Sequence, residues 1–292
     1  MLPRRTLLQT PLALAAPPKK MILGMHQYTS AGAGYRHSLE GWAKAGIRHV
    51  EPVAPLLDDF LKTDTLANAK RVLTDNGLTI VSGAVSVMNL WEPNPAFAAR
   101  LEAFRQRCEQ FATLGAPIVY SPCVTAAKFT ADDYAKSIDN IRRVAEVARQ
   151  FRLKVGAEFV RNSTFLASLP TALRLHREAA HPNFGIIFDC YHFWSGPNHL
   201  EDMDALRPGD ILHAHLNDTP ALPRELLDMQ SRVVPGDGVA PLAAILRKLV
   251  DRGYTGPITV ELFWPQFQQA DPFTLAKSIK TKAEAIFKQA RL

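Results

Sequence analysis

From Met21 onward the chain alternates between short, continuous apolar runs and longer stretches whose apolar residues recur every three or four positions. The runs are "MILGM" (21–25), "IRHVE" (47–51), "TIVSGAV" (79–85), "IVYS" (118–121), "KVGAE" (154–158), "GIIFD" (185–189), "ILHAHL" (211–216) and "PITVE" (257–261). Runs of this kind, β-branched and without polar alternation, predict strands buried on both faces. Between them, "NPAFAARLEAFRQRCEQFATLG" and "DDYAKSIDNIRRVAEVARQF" keep the spacing of amphipathic helices. Gly46, Gly77, Gly115 and Gly253 fall where helix C-caps are expected, and a last helix is predicted over 272–290.

Eight strands alternating with eight helices over residues 21–292 is the arithmetic of an α/β, (β/α)8 TIM barrel in a single domain. A doubly wound open sheet is the rival. It would want a glycine-rich phosphate loop after its first strand, and "GMHQYTSAGAG" matches neither the dinucleotide nor the P-loop pattern.

Composition narrows the picture further. With 292 residues, 47% of them hydrophobic, the chain can bury one large core. The formal charge is +6, but Lys and Arg are scattered through helical segments, so they read as a solvated surface and no nucleic-acid partner is expected. Cys108, Cys123 and Cys190 are odd in number and lack CxxC spacing, which predicts buried thiols. The first twenty residues stand apart. "MLPRRTLLQTPLALAAPPKK" has an arginine pair, a short apolar stretch and "ALA" at 13–15, the layout of a cleaved export signal. Its "RRTLL" resembles a twin-arginine signal, so a periplasmic or exported location is expected over residues 21–292, with a cytoplasmic protein as the alternative. The apolar stretch, interrupted by Gln9 and Pro11, is too short to span a membrane.

The candidate chemistry lies at the ends of the later runs. In "FGIIFDCYHFW" an apolar run ends in Asp189 and His192 follows three positions later. On a continuing strand these two would face opposite sides, so the strand should end near Asp189 and the next loop fold back. Glu158, His215 and Glu261 likewise close the fifth, seventh and eighth runs. A buried strand has no packing reason to finish on a charge, and in a barrel these ends open onto one mouth. Three carboxylates and an imidazole make an oxygen-rich site for a divalent metal: Mn2+ first, with Mg2+ or Co2+ next and Zn2+ less favoured. His26 and Glu51, ending the first two strands, are expected to point to the same mouth and contact substrate. His213, alternating with His215, is expected to face the helices. Trp91, Phe193, Trp194 and Trp264 fall in loops beyond strands and read either as walls of a sugar pocket or as core.

"VGAEF", "FDCYH", "HAHLND" and "ITVELF" resemble the sugar phosphate isomerase/epimerase superfamily, the xylose isomerase-like TIM barrels, nearest the tagatose/psicose 3-epimerase and hydroxypyruvate isomerase branches. The likeness covers nearly all of the chain after Met21. It implies that Glu158, Asp189, His215 and Glu261 hold the metal, that Glu158 and Glu261 are catalytic, and that His192 contacts substrate oxygen. "PGDG" (235–238) is similar to the family's loop before the seventh helix. Epimerases of this group place an arginine six residues after the metal histidine, where this chain has Ala221; Arg224 is the expected substitute. After the fifth-strand glutamate the chain reads "EFVRNST", so Arg161 and Asn162 are further candidates for the mouth.

The resemblance implies a metal-dependent isomerase or epimerase of a small sugar or keto-sugar, acting through an enediolate. A keto-sugar lyase or hydratase on the same metal site is one alternative, and a non-catalytic sugar-binding barrel is another. The abasic-DNA endonucleases share the barrel but need additional histidines, which "VSGAVSVMN", "VYSPCV" and "VVPGDGVAP" do not supply. Assembly into a homo-oligomer is left open.

Overall fold

The strands are β1 (Ile22–His26), β2 (His49–Glu51), β3 (Thr79–Ile80), β4 (Gly83–Ala84), β5 (Ile118–Pro122), β6 (Lys154–Glu158), β7 (Phe184–Asp189), β8 (Ile211–Leu216) and β9 (Pro257–Val260). A computed structural model describes residues 21–292; the export signal expected over residues 1–20 lies outside the described residues. The nine strands form one parallel sheet in the order β3-β2-β1-β9-β8-β7-β6-β5-β4, a nearly closed α/β barrel of a single domain.

The count differs from the expected eight because the third run splits. Thr79–Ile80 pair with β2 and Gly83–Ala84 pair with β5, so one segment changes partner halfway. Ala84 N–H still donates to Pro52 O at 3.0 Å, and Ala84 bridges Val53, which carries the ring across the break.

The helices are α1 (Gly34–Lys44), α2 (Ala54–Leu61), α3 (Leu66–Asp75), α4 (Phe97–Leu114), α5 (Ala131–Gln150), α6 (Leu169–Ala179), α7 (Cys190–Ser195), α8 (Leu242–Asp251), α9 (Pro265–Gln268) and α10 (Pro272–Gln289). Their ends follow local chemistry. Asp133 accepts the Thr130 N–H at 2.8 Å ahead of α5, and Asp271 caps α10 through the Thr274 N–H at 2.9 Å. Gly115 closes α4 at φ 95°, a left-handed conformation that a glycine takes without a Cβ penalty. Among the described residues no helix is long and apolar enough to cross a membrane.

The core lies between barrel and helices, with Leu39, Trp42, Phe104, Phe111, Ile141 and Ile279 fully buried on the inner helix faces. Cys108, Cys123 and Cys190 are buried free thiols within it. Inside the barrel, small residues make room for large neighbours: a Cβ on Gly156 would lie 2.4 Å from Ile187 Cδ1. Trp91, with its indole N–H on Ser121 O at 3.1 Å, and Phe193 are core residues.

Gly83, at the break in the ring, sits against the Phe111 ring; a Cβ there would come within 2.1 Å of Phe111 Cδ1. Overpacking of this kind costs typically about 1–3 kcal/mol. Gly83→Ala should therefore lower the melting temperature in thermal denaturation. The same change should cost less in a Phe111→Leu background, where the ring is gone. An equal cost in both backgrounds would show that the contact with Phe111 does not set the requirement for glycine.

Candidate metal centre

β6, β7, β8 and β9 are consecutive in the sheet, and their carboxyl ends bring Glu158, Asp189, His215 and Glu261 together. The ladder places Asp189 directly beside His215. One donor atom from each of the four lies within 4.8 Å of the others, and all four residues are buried. His215 Nδ1 is 3.0 Å from Glu158 Oε1, 3.6 Å from Asp189 Oδ2 and 3.6 Å from Glu261 Oε2.

Asp189 also ends β7 and starts α7. Its Oδ1 accepts the His192 N–H at 2.6 Å as the helix N-cap, and its Oδ2 accepts from Asn217 Nδ2 at 2.7 Å. The turn that brings His192 round is thus a short helix, not the expected loop. The capping bond leaves the His192 ring beside the site, with Nε2 2.9 Å from Nη2 of Arg232. Guanidinium only donates, so Nε2 accepts from Arg232, and on the other side of the ring Nδ1 faces the Arg161 N–H at 3.4 Å. Burial lowers His192 to about 3, so the ring is neutral.

Arg232 is the arginine that reaches the acids. Only 1% exposed, its Nη2 lies 3.5 Å from Glu261 Oε2 and 3.6 Å from Asp189 Oδ2. Its guanidinium is sandwiched between Tyr191 and Phe263, with centroid distances of 4.9 Å and 4.6 Å. Arg224, the expected substitute, is exposed and donates to Gly196 O at 3.3 Å. The reason is the loop. Asp218 and Val233 pair as an antiparallel bridge, so the chain between them leaves the rim at one point and returns to it at Arg232. Asp218 also accepts the Gly236 and Gly238 N–H groups at 3.0 and 3.1 Å, which fixes "PGDG". Arg161 faces this loop, donating to Leu227 O and Arg224 O at 2.5 and 2.7 Å, while Asn162 is exposed.

His26 reaches the site, its Nε2 3.4 Å from Glu261 Oε1 and 2.9 Å from the Tyr120 hydroxyl. Burial lowers it to about 3. Glu51 does not point into the mouth. It is fully buried on the far side of His215, with Oε2 3.2 Å from His215 Nε2 and 3.2 Å from His213 Nε2. His213 therefore faces the barrel interior, not the helices, because residues two apart on a strand share a face. Trp264, half-buried, stacks on Phe267, and Tyr28 packs on Phe263 at 5.4 Å beside Arg232.

The electrostatics single out the two glutamates. Burial pushes Glu261 up to about 8, with Glu158 and Asp189 adding to the rise against His215 and Arg232. Burial also raises Glu158, opposed by His215. Burial would raise Asp189 too, but Arg232, His192 and His215 hold it far below the usual carboxylate range. For His215, burial works against protonation, yet Glu261 and Glu51 carry it well above the ordinary histidine value.

Residues 39–288 match the family model described as the xylose isomerase-like TIM barrel. The chain belongs to that family. An inosose isomerase of Halalkalibacterium halodurans is 26% identical over 259 residues, 87% of this chain and 92% of that protein. A 3-dehydroshikimate dehydratase of Pseudomonas aeruginosa is 28% identical over 247 residues, 80% of this chain but 36% of that longer protein. Among solved structures, the IolI protein with a bound zinc atom superposes with a TM-score of 0.86 at 21% identity, covering 92% of this chain and 99% of that one. At that identity the likeness is one of fold.

The donor set of this family member fits a divalent cation. Three carboxylates face one guanidinium, an excess of two negative charges when His215 is neutral, and Glu261 Oε2 is buried without a hydrogen-bond partner. Asn217, Tyr120 and Arg232 were not singled out by sequence. Asn217 lies two residues past His215 and so shares its inward face, a signal that was present in "HLND".

The purified protein should bind one divalent metal per chain, and Asp189→Ala should lose most of it by elemental analysis. Undiminished metal in the variant would remove Asp189 from the ligand set. Protons and metal compete for these donors. Without metal, Glu261 and His215 hold protons at neutral pH, so metal affinity should rise between pH 6 and pH 8. A chelator competition that stays flat over this range would contradict that picture.

Proposed function

We propose that the protein is a divalent-metal-dependent isomerase or epimerase of a polyol ketone or aldehyde. The observation that carries this reading is the pair Glu158 and Glu261, which come from different strands and converge on one buried donor cluster with carboxyls both raised above the ordinary value. The inosose isomerase relative supports the same class of chemistry.

A bound divalent cation, held by Glu158, Asp189, His215 and Glu261, would polarise a carbonyl and its neighbouring hydroxyl and so acidify the C–H between them. One glutamate takes that hydrogen as a proton, and the electron pair left on carbon shifts into the carbonyl to give an enediolate. The other glutamate returns a proton to carbon. Asp189, held ionised by its hydrogen bonds and by Arg232, stays a fixed anion throughout. Arg232 keeps a positive charge beside the forming enediolate, and neutral His192 holds that guanidinium in place. Tyr28 and Phe263 wall the site with apolar surface that limits water.

Dehydration is a second reading, favoured by the 3-dehydroshikimate dehydratase relative. The opening proton transfer is the same. The electron pair then expels a neighbouring hydroxyl, which takes up the proton held by the glutamate and leaves as water, and no proton returns to carbon.

Glu158→Gln and Glu261→Gln, each saturated with Mn2+, should both lose roughly 10²–10⁴-fold in turnover, the usual range for losing a general base. The assay offers inososes, ketohexoses, hydroxypyruvate and 3-dehydroshikimate in deuterated water. Solvent deuterium incorporated at carbon in a product otherwise isomeric with the substrate supports isomerisation or epimerisation, and loss of water supports the dehydratase. Full activity in both variants would move the proton transfers to other groups.

A further inference from the structure

The barrel gives the two ring nitrogens of His215 different neighbours. Nδ1 faces the carboxylates of Glu158, Asp189 and Glu261, whereas Nε2 lies 3.2 Å from Glu51 Oε2. Glu51 comes from β2, outside the four strands that carry the donor set, and has no exposed surface. Its Oε2 also accepts the Thr259 hydroxyl at 2.5 Å, and Thr259 is the residue paired with His215 on the next strand. His213 Nε2 meets the same hydroxyl oxygen at 2.9 Å.

The hydrogen positions follow from these contacts. A carboxylate accepts and does not donate, so the Thr259 hydroxyl must give its hydrogen to Glu51. The threonine oxygen is then free to accept from His213 Nε2. His215 Nε2 lies close to Glu51 Oε2 without being aligned on it as a hydrogen bond, and that approach to a carboxylate is favourable only if Nε2 carries a hydrogen. Without metal, Nδ1 meets Glu158 Oε1 at 3.0 Å and by the same rule carries a hydrogen as well; when a cation takes the place of that hydrogen, Nδ1 is the nitrogen whose lone pair faces it. The opposite tautomer would aim an N–H at the cation and a lone pair at a carboxylate.

We propose that Glu51 is a positioning residue that fixes the ring orientation and tautomer of His215, with Thr259 and His213 holding the Glu51 carboxylate in place. The proposal rests on the metal reading above. It gives a buried charge, which packing alone would not favour, a specific task acting through the metal ligand. Glu51 acts behind His215 and makes no contact with substrate.

Two measurements on the full chain test this. The first is Zn2+ and Mn2+ affinity by competition with a chelating dye, for wild type, Glu51→Met, Glu51→Gln and Gly83→Ala. Methionine has similar length and no acceptor oxygen, so Glu51→Met should weaken metal binding roughly 10–100-fold. Glutamine keeps an acceptor oxygen and should recover part of that loss. Gly83→Ala should lower the melting temperature and leave metal affinity unchanged, which separates positioning from general destabilisation. The second measurement needs no variant: 15N NMR of the imidazoles in Zn2+-loaded wild type should show hydrogen on His215 Nε2 and none on Nδ1. Wild-type affinity in Glu51→Met, or hydrogen on Nδ1, would overturn the proposal. A wild type that takes up no metal would overturn this and the metal reading together, and the wild-type titration alone tells the two failures apart.

Discussion

Three carboxylates, those of Glu158, Asp189 and Glu261, are buried within a few ångströms of one another at one end of the barrel, and the chain around them has to offset that charge. An uncompensated buried charge is costly, and like charges at this spacing raise one another's affinity for protons. The compensation supplied by the chain is uneven. Asp189 has a helix-capping N–H, the Asn217 amide and Arg232, and its carboxyl is strongly depressed. Glu261 shares Arg232 but leaves Oε2 without a hydrogen bond, and Glu158 has His215 as its near partner. Both glutamates rise as a result. Environment thus separates acids of the same chemistry into one fixed anion and two groups able to exchange protons, which is how acid and base work is divided at neutral pH.

Local structure serves that division at each point. Asp189 ends a strand and caps a helix with the same carboxylate, so the site is tied to the chain direction and not to a flexible side chain. Asn217 joins Asp189 to the Tyr191 N–H, linking β8 to the first turn of α7. The loop from Asp218 to Val233 closes on itself and delivers Arg232 between two aromatic rings. Few of these groups have freedom to move, which lowers the reorganisation needed when charge develops in a reaction.

The barrel was legible in the sequence because buried parallel strands leave continuous apolar runs, and the four clustered side chains because three of the later runs end in a carboxylate and the other carries His215 next to its end. What stayed hidden was long-range or parity-dependent. Arg232 reaches the acids only because Asp218 and Val233 pair, and no local pattern announces that bridge. Arg224, closer in sequence to His215, is carried outward by the same loop. Glu51 looked like the other strand-end acids, yet it lies behind His215, on the side away from the mouth. The inward direction of His213 was readable, since it shares a face with His215, and the expected outward placement contradicted strand geometry. The split of the third run around Val81 and Ser82 depends on two partners at once, and residue preferences in one segment do not encode it.

The same geometry bears on how one site can serve several reactions. In the proposed reaction the opening proton transfer would use the donor cluster and the two raised glutamates, all at the carboxyl ends of barrel strands. Whether the electron pair then takes a proton back or expels a hydroxyl depends on which substrate oxygens are held, and by what, above the cluster. In this protein the loop between Asp218 and Val233 brings Arg232 to the cluster. That loop is anchored through its backbone: Arg161 binds the carbonyls of Arg224 and Leu227, and the Tyr191 hydroxyl binds that of Asp228. Backbone anchors place few demands on the side chains they hold, so exposed positions such as Leu222 and Leu226 can change without displacing Arg232. Reaction choice can therefore shift at the rim while the buried charges, which cannot be rearranged cheaply, stay as they are.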